Sequence, residues 1–260
     1  MHNFVRPFVV PFMRGRKRVC EIGSSQGEGT DLLRSIPRLE ITVIDPCLDC
    51  DLQSRFSDQA QIDMKKGLSL DVLPTLEEPF DCILLDGDHN WYTVFNELRI
   101  ISEKNLLRKG GLIFLHDVDW PWGRRDMYYQ LDTIPEAYRQ NCAEAGIVRG
   151  RSEVLCEGGE FSGTMMAVRE GGERNGVLTA IEDFIREDKR RYRFSRVRAG
   201  AGLGILQYRG GFQDDFVFIA LACKGIIVSI AYRSLIFIRG IVGSGSRRET
   251  SADAELEGKR

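Results

Sequence analysis

Two of the three histidines in this chain stand beside an acid at the end of an apolar run. Cys82-Ile83-Leu84-Leu85 stops abruptly at Asp86, with Asp88 and His89 just after it. Gly110-Gly111-Leu112-Ile113-Phe114-Leu115 stops at His116-Asp117. Such runs read as buried parallel strands, and in open α/β sheets ligands bind at the C-terminal tips of the strands. An imidazole, with an ordinary pKa near 6.5, can accept a proton at neutral pH. Two such tips in a chain with so few histidines point to a site.

A third tip carries glycines. Arg18-Val19-Cys20-Glu21-Ile22 leads into Gly23-Ser24-Ser25-Gln26-Gly27-Glu28-Gly29-Thr30. Glycines there allow a tight turn and let a ligand approach the backbone. The free N–H groups at the start of the following helix suit an anionic or polar ligand. Asp45 ends the next strand, 22 positions after Gly23, where an acid typically grips a ribose diol. Turn and acid together imply a nucleoside cofactor; the plainer alternative is a structural turn and a solvated acid. A nicotinamide site prefers GxGxxG, and Ser25 stands where its second glycine belongs. A nicotinamide-dependent oxidoreductase is therefore the disfavoured alternative.

The elements around these tips alternate. Strands are expected at 18–22, 41–44, 62–65, 82–85 and 112–115, with helices at 28–35, 70–76 and 92–107. That alternation implies an α/β fold with a doubly wound, mostly parallel sheet covered on both faces. Beyond it, 147–156 and 161–169 read as a hairpin joined by Glu157-Gly158-Gly159-Glu160, 176–191 as a charged amphipathic helix, and 198–211 as a Gly-rich loop. The expected organisation is a basic N-terminal segment at 1–17, solvated and flexible, a cofactor-binding domain at 18–170, a C-terminal extension at 171–243 and a disordered tail at 244–260.

With 260 residues and a net charge of -2, the chain lacks the basic face that nucleic-acid binding usually needs. No secretory signal pattern is apparent, so a cytoplasmic protein with reduced thiols is expected. Cys47 and Cys50 form a lone CxxC without further ligands nearby, which argues against zinc. The stretch 216–240 is nearly all apolar and long enough to cross a bilayer, but Lys224, Arg233 and Arg239 interrupt it. A buried core or homo-oligomer element is expected there, with peripheral membrane contact kept open. A non-catalytic, membrane-associated protein is a further alternative.

Glu21-x-Gly23-x-x-x-Gly27, in this place, resembles the class I S-adenosylmethionine-dependent methyltransferases. Asp86-Gly-Asp-His89-Asn-Trp-Tyr92 and Leu107-Arg-Lys-Gly-Gly111-Leu-Ile-Phe-Leu-His116-Asp117 narrow this to the small-molecule O-methyltransferase group. That group includes macrolide-sugar O-methyltransferases and cephalosporin-hydroxylase-like proteins. The likeness covers about residues 17–170. It implies a seven-stranded Rossmann-like sheet ending in an antiparallel pair, which the hairpin at 147–169 would supply. It implies S-adenosylmethionine held by Glu21, Gly23, Ser24, Ser25, Gly27, Thr30, Asp45 and Asp86, with Ser69 and Met64 near the adenine. It implies a divalent metal on Asp86, His116 and Asp117, and His89 as general base toward a hydroxyl of a sugar or natural-product-like acceptor. His116 stands where the metal-dependent relatives carry an acid. Mg²⁺ prefers oxygen ligands, so a histidine shifts preference toward Mn, Fe or Zn, or the site works without metal. Structural hydrogen bonding is the alternative for both histidines. In the loop 118–129, aromatic rings could stack on an acceptor and Arg124 or Arg125 could hold a carboxylate or phosphate; otherwise it is a packed surface loop.

Overall fold

The computed structural model describes residues 1–48, 50–155, 157–187 and 191–257, with side chains for all but 2, 50 and 235–257 of these. The strands are β1 (Arg18–Ile22), β2 (Glu40–Asp45), β3 (Ile62–Lys66), β4 (Phe80–Leu85), β5 (Leu107–His116), β6 (Cys142–Ile147), β7 (Glu160–Ala167), β8 (Tyr192–Val197) and β9 (Leu203–Tyr208). The helices are α1 (His2–Phe4), α2 (Val10–Met13), α3 (Glu28–Arg34), α4 (Cys50–Phe56), α5 (Ser69–Val72), α6 (Trp91–Glu103), α7 (Val177–Glu187) and α8 (Phe212–Glu257).

Seven strands form one sheet in the order β3-β2-β1-β4-β5-β9-β8. Pairings from β3 through β5 are parallel, and β9 runs antiparallel between β5 and β8. The strand order reverses between β1 and β4, which is where such sheets bind ligands. β4 is buried along its whole length because alternate residues feed two apolar layers. Cys82 and Leu84 face a layer with Val19, Leu33, Val43 and Phe114, whereas Ile83 and Leu85 face α6 and α7 through Leu98, Ile101 and Ile181. Burial on both faces explains the uninterrupted apolar runs. Cys20 and Cys82 are small hydrophobes in these layers.

The N-terminal segment departs from expectation. It is not solvated: Val5, Phe8, Val9 and Met13 are fully buried against the first layer. The apolar residues recur at helical spacing (Phe4, Phe8, Phe12), which packs one side and turns Arg6 and Arg14 to solvent. The basic residues read in isolation hid that stripe.

The closing antiparallel pair also lies elsewhere than expected. It is β8 and β9, so the sheet is complete only at Tyr208 and extends past the boundary at 170. The hairpin exists, shifted to β6 and β7, as a separate two-stranded sheet. Gly204 misled the reading of 198–211 as loop: a Cβ there would press on Phe194 and Val118, so the glycine serves close packing inside β9. Similarly, α6 ends at Glu103, short of the expected 107, with Asn105 left-handed at φ 54°, a conformation Asn tolerates. Gly110 sits instead within β5, beside its irregular register with β4. α8 runs on through 244–257, where a disordered tail was expected, and 258–260 lie outside the described residues.

Candidate active site

Strand register builds the site. Ile22 lies opposite Ile44 on one side and Leu85 on the other, and Leu85 lies opposite Leu115. The next residues, Gly23, Asp45, Asp86 and His116, therefore emerge together at one edge. Gly23 has φ +81°, and a Cβ there would run into the main chain of Asp86 and Gly87. Its N–H donates to the Ile44 carbonyl at 2.9 Å, and the Asp86 N–H donates to Ile22 at 2.9 Å. The glycine lets three strand tips meet.

A cavity of about 660 Å³ opens at this edge, within the range of small-molecule sites. Of the expected cofactor residues, Gly23, Ser25, Asp45, Ser69 and Asp86 line it. Ser24, Glu21, Gly27 and Thr30 lie behind it. Thr30 donates its hydroxyl to the buried Glu21 carboxyl at 2.5 Å. Burial pushes that carboxyl up to about 7, against the hydrogen bond from Thr30. Gly27 starts α3 at φ +79°, close against Leu52 and Phe56. Met64 is partly buried in β3 and does not line the cavity.

Asp45 braces the glycine loop. Its Oδ2 accepts from the Ser24 N–H at 2.8 Å, the Ser24 hydroxyl at 3.2 Å and the Ser25 N–H at 3.2 Å, and its Oδ1 accepts from the Cys47 N–H at 2.8 Å. A carboxylate offers about four lone-pair sites, so room for a ligand hydroxyl remains at Oδ1. Asp45→Ala is expected to loosen the glycine loop as well as weaken cofactor binding. Leaving buried donors unpaired costs about 1–3 kcal/mol, so the urea midpoint should fall even without ligand. An unchanged midpoint would contradict this scaffolding role.

Sequence reasoning missed Leu68, Gln130 and Thr133, which also line the cavity. Residues 130 and 133 return to it from a single 3₁₀ turn (Leu131–Thr133), too short to carry a periodic signal. Glu97 was also missed. It is buried in α6, and burial pushes its carboxyl up to about 8, against the pull of the nearby Ser69 hydroxyl.

On the other side of Asp86, four titratable side chains converge. His116 Nδ1 is 3.0 Å from Asp86 Oδ1 and 2.8 Å from Asp117 Oδ2. His89 Nε2 is 2.7 Å from Asp117 Oδ2 and 3.9 Å from Asp86 Oδ1. Asp117 reaches both rings from a left-handed backbone at φ 57°. The N-terminal segment closes one side, with the Phe4 ring 5.8 Å from that of His116 and the Met1 nitrogen 2.8 Å from Asp86 Oδ2.

His89 is held firmly. Asp88 accepts from its N–H at 2.9 Å, and also from the Asn90 amide and the Thr93 hydroxyl. Asn90 caps α6 through the Thr93 N–H at 2.8 Å. The His89 carbonyl accepts from the Met127 N–H at 3.1 Å.

The electrostatics follow from burial set against pairing. Burial raises the Asp117 carboxyl, but hydrogen bonds from His116 and His89 overcome it and bring it to about 2. Asp86 is held well below the carboxylate range by the same two rings, again against burial. Burial lowers both imidazoles, yet Asp117 and Asp86 raise His89 to about 10 and His116 to about 9. Two imidazolium rings thus balance two carboxylates. Asp86, His116 and Asp117 are the one group among the described residues able to share a metal ion, with ligand atoms within 4.8 Å of one another. Contacts of 2.8–3.0 Å match the spacing of roughly 3 Å between adjacent ligands of an octahedral ion at about 2.1 Å. The residues fit a cation, which would take the place of the His116 proton.

Residues 20–118 match the model of a methyltransferase domain family. The chain carries a methyltransferase domain. Its sheet order fits a Rossmann-like methyltransferase fold, and the match speaks against the nicotinamide-dependent alternative. Similar solved structures include the SAH-bound methyltransferase PaMTH1 of Podospora anserina, at 16% identity over 78% of this chain and 76% of that one, TM-score 0.49. An O-methyltransferase from Bacillus cereus in complex with SAH shows 16% identity over 80% of each chain, TM-score 0.47. The methyltransferase MycE of the mycinamycin biosynthetic pathway, in complex with Mg, SAH and mycinamycin VI, shows 22% identity over 45% of this chain and 31% of that one, TM-score 0.37. No curated protein matches the chain.

The methyltransferase domain uses most of the 118–129 loop as scaffold. Arg124 makes a two-pronged contact with Glu182, both bonds 2.7 Å, and Arg125 is buried on the carbonyls of Ala167 and Ser152. Neither lines the cavity, so the expectation that one of them holds an anionic acceptor is not carried by their geometry. Asp126 accepts from the N–H groups of Trp91 and Gly176, tying the start of α6 to that of α7. Trp120 and Trp122 pack edge-on against Phe161. Tyr129 differs: it is 67% exposed, lines the cavity and stands 5.6 Å ring to ring from His89. Cys47 is exposed and free, while the side chain of Cys50 lies outside the described residues, as does Cys156.

Proposed function

We propose that this methyltransferase moves a methyl group from S-adenosylmethionine to a hydroxyl of a small molecule, with His89 as general base and a divalent cation on Asp86, His116 and Asp117. The observation that carries this reading is the position of Asp86. Its carboxylate both lines the cavity and belongs to the four-residue cluster. A cofactor in the cavity and an acceptor at the cluster would therefore meet at one side chain.

When bound, S-adenosylmethionine supplies an electrophilic methyl, and a divalent ion supplies positive charge that lowers the pKa of an acceptor hydroxyl. The chain's own residues handle the proton. One ring nitrogen of His89 is held by Asp117, and the other, Nδ1, is buried without a hydrogen-bond partner. An imidazole fixed at one nitrogen and unpartnered at the other keeps a nitrogen free to exchange a proton. The same two carboxylates that keep His89 charged are the ones a cation would engage. With a cation on those carboxylates, their hold on the His89 proton would weaken and the ring could act as a proton acceptor. Tyr129 offers an exposed aromatic wall for the acceptor beside His89.

The test is methyl transfer from labelled S-adenosylmethionine to panels of sugar and phenolic hydroxyl acceptors, with and without Mg²⁺, Mn²⁺ or Fe²⁺. Label transferred to a hydroxyl in a metal-dependent way supports the reading. Transfer confined to nitrogen or carbon acceptors overturns it.

A further inference from the structure

The apolar C-terminal segment has a face that the fold does not use. Along α8, Phe218, Leu221 and Gly225 pack inward, Gly225 close against Val197 of β8. At about 100° per residue, Phe212, Phe216, Ile219, Ile226, Ile227 and Ile230 fall within a sector about 100° wide on the opposite side. All six are exposed, Phe216 by 63%, Ile227 by 67% and Ile230 by 60%. The helix is thus apolar on two opposite faces, and the sheet covers only one.

Its charges complete the picture. Lys224 turns onto the N-terminal segment, donating to the Pro7 carbonyl at 2.5 Å and lying 5.3 Å from the Phe8 ring centre. It flanks the outer stripe rather than interrupting it. From Phe216 to Arg248 the charged residues are Lys224, Arg233, Arg239, Arg247 and Arg248, with no acid among them. The segment packed beside Lys224 adds Arg6 and Arg14, both exposed. The acids of the helix that precede Phe216, Asp214 and Asp215, are paired with Arg16 and Arg193, and an exposed apolar stripe flanked beyond them by cations is the pattern of an interfacial helix on an anionic bilayer. A second copy of the chain would bring like charges face to face across the stripe.

We propose that the outer face of α8 docks this protein on an anionic lipid surface, with the helix lying in the membrane plane. The in-plane orientation follows because the inner face is already committed to the sheet. This docking does not depend on the methyl-transfer reading.

Flotation of the full chain with two kinds of vesicle tests it, phosphatidylcholine alone and phosphatidylcholine mixed with phosphatidylglycerol. The wild-type chain should float with the mixed vesicles, less so with phosphatidylcholine alone, and added salt should weaken the association. Ile227→Asp with Ile230→Asp should reduce flotation at least about tenfold, because charge is costly among acyl chains, with an unchanged thermal melt since both sites are exposed. A wild-type chain that stays at the bottom of the gradient with mixed vesicles overturns the proposal. So does a vesicle-independent dimer that the double substitution dissociates, which would make this face a contact between copies.

Discussion

His89→Ala should lower turnover by about 10²–10⁴, the usual contribution of a general base, and leave affinity for S-adenosylmethionine nearly unchanged. The split follows from position. His89 does not line the cavity, yet its ring is 2.7 Å from Asp117 in the cluster beside it. Removing the ring leaves no imidazole between β4 and α6 to take the acceptor's proton, while Gly23, Ser25 and Asp45 keep their places. Steady-state kinetics together with calorimetric titration separate the two effects. Near-normal turnover in a folded variant would remove His89 from the base role, and a parallel loss of cofactor affinity would make it a structural residue.

The second large effect concerns the cation. Chelation with EDTA should abolish turnover, with cofactor binding retained. Asp117→Asn should lose activity and metal together, since it swaps an anionic ligand for a weaker neutral one and also removes the carboxylate that orients His89. A mixed nitrogen–oxygen donor set predicts better recovery with Mn²⁺ or Fe²⁺ than with Mg²⁺. Full activity after exhaustive chelation, with no metal by elemental analysis, would leave Asp86, His116 and Asp117 to orient the acceptor by hydrogen bonds alone.

The site was readable in the sequence where a strand ends sharply. The steps from Leu85 to Asp86 and from Leu115 to His116 mark the sheet edge, because a buried strand cannot carry bare charge. Asp45 was readable through its distance from Gly23. The sequence could not show that Asp45 also organises Ser24 and Ser25, since that depends on the tilt of a side chain. Nor could it show that Asp117, through a left-handed backbone, turns back to serve both histidines. Glu21, Gly27 and Thr30 carry the motif yet stand behind the cavity, so a motif position need not be a contact position. The strands missed at 192–208 show the same limit. Gly204 is a loop residue by type and a packing residue by place, and only the neighbouring Phe194 and Val118 tell the two apart. Arg124 and Arg125 had the chemistry of an anion clamp, but Glu182 and two main-chain carbonyls use their donors.

Calorimetric titration of the full chain with S-adenosylmethionine tests the central claim most directly. Thr133 is exposed and lines the cavity far from the cluster in sequence, so Thr133→Trp fills that space without touching the strand tips. The wild type should bind one S-adenosylmethionine per chain, and Thr133→Trp should lose that binding while keeping its thermal melt. Absence of binding to the wild type, or unchanged affinity in Thr133→Trp, would contradict a cofactor seated in this cavity.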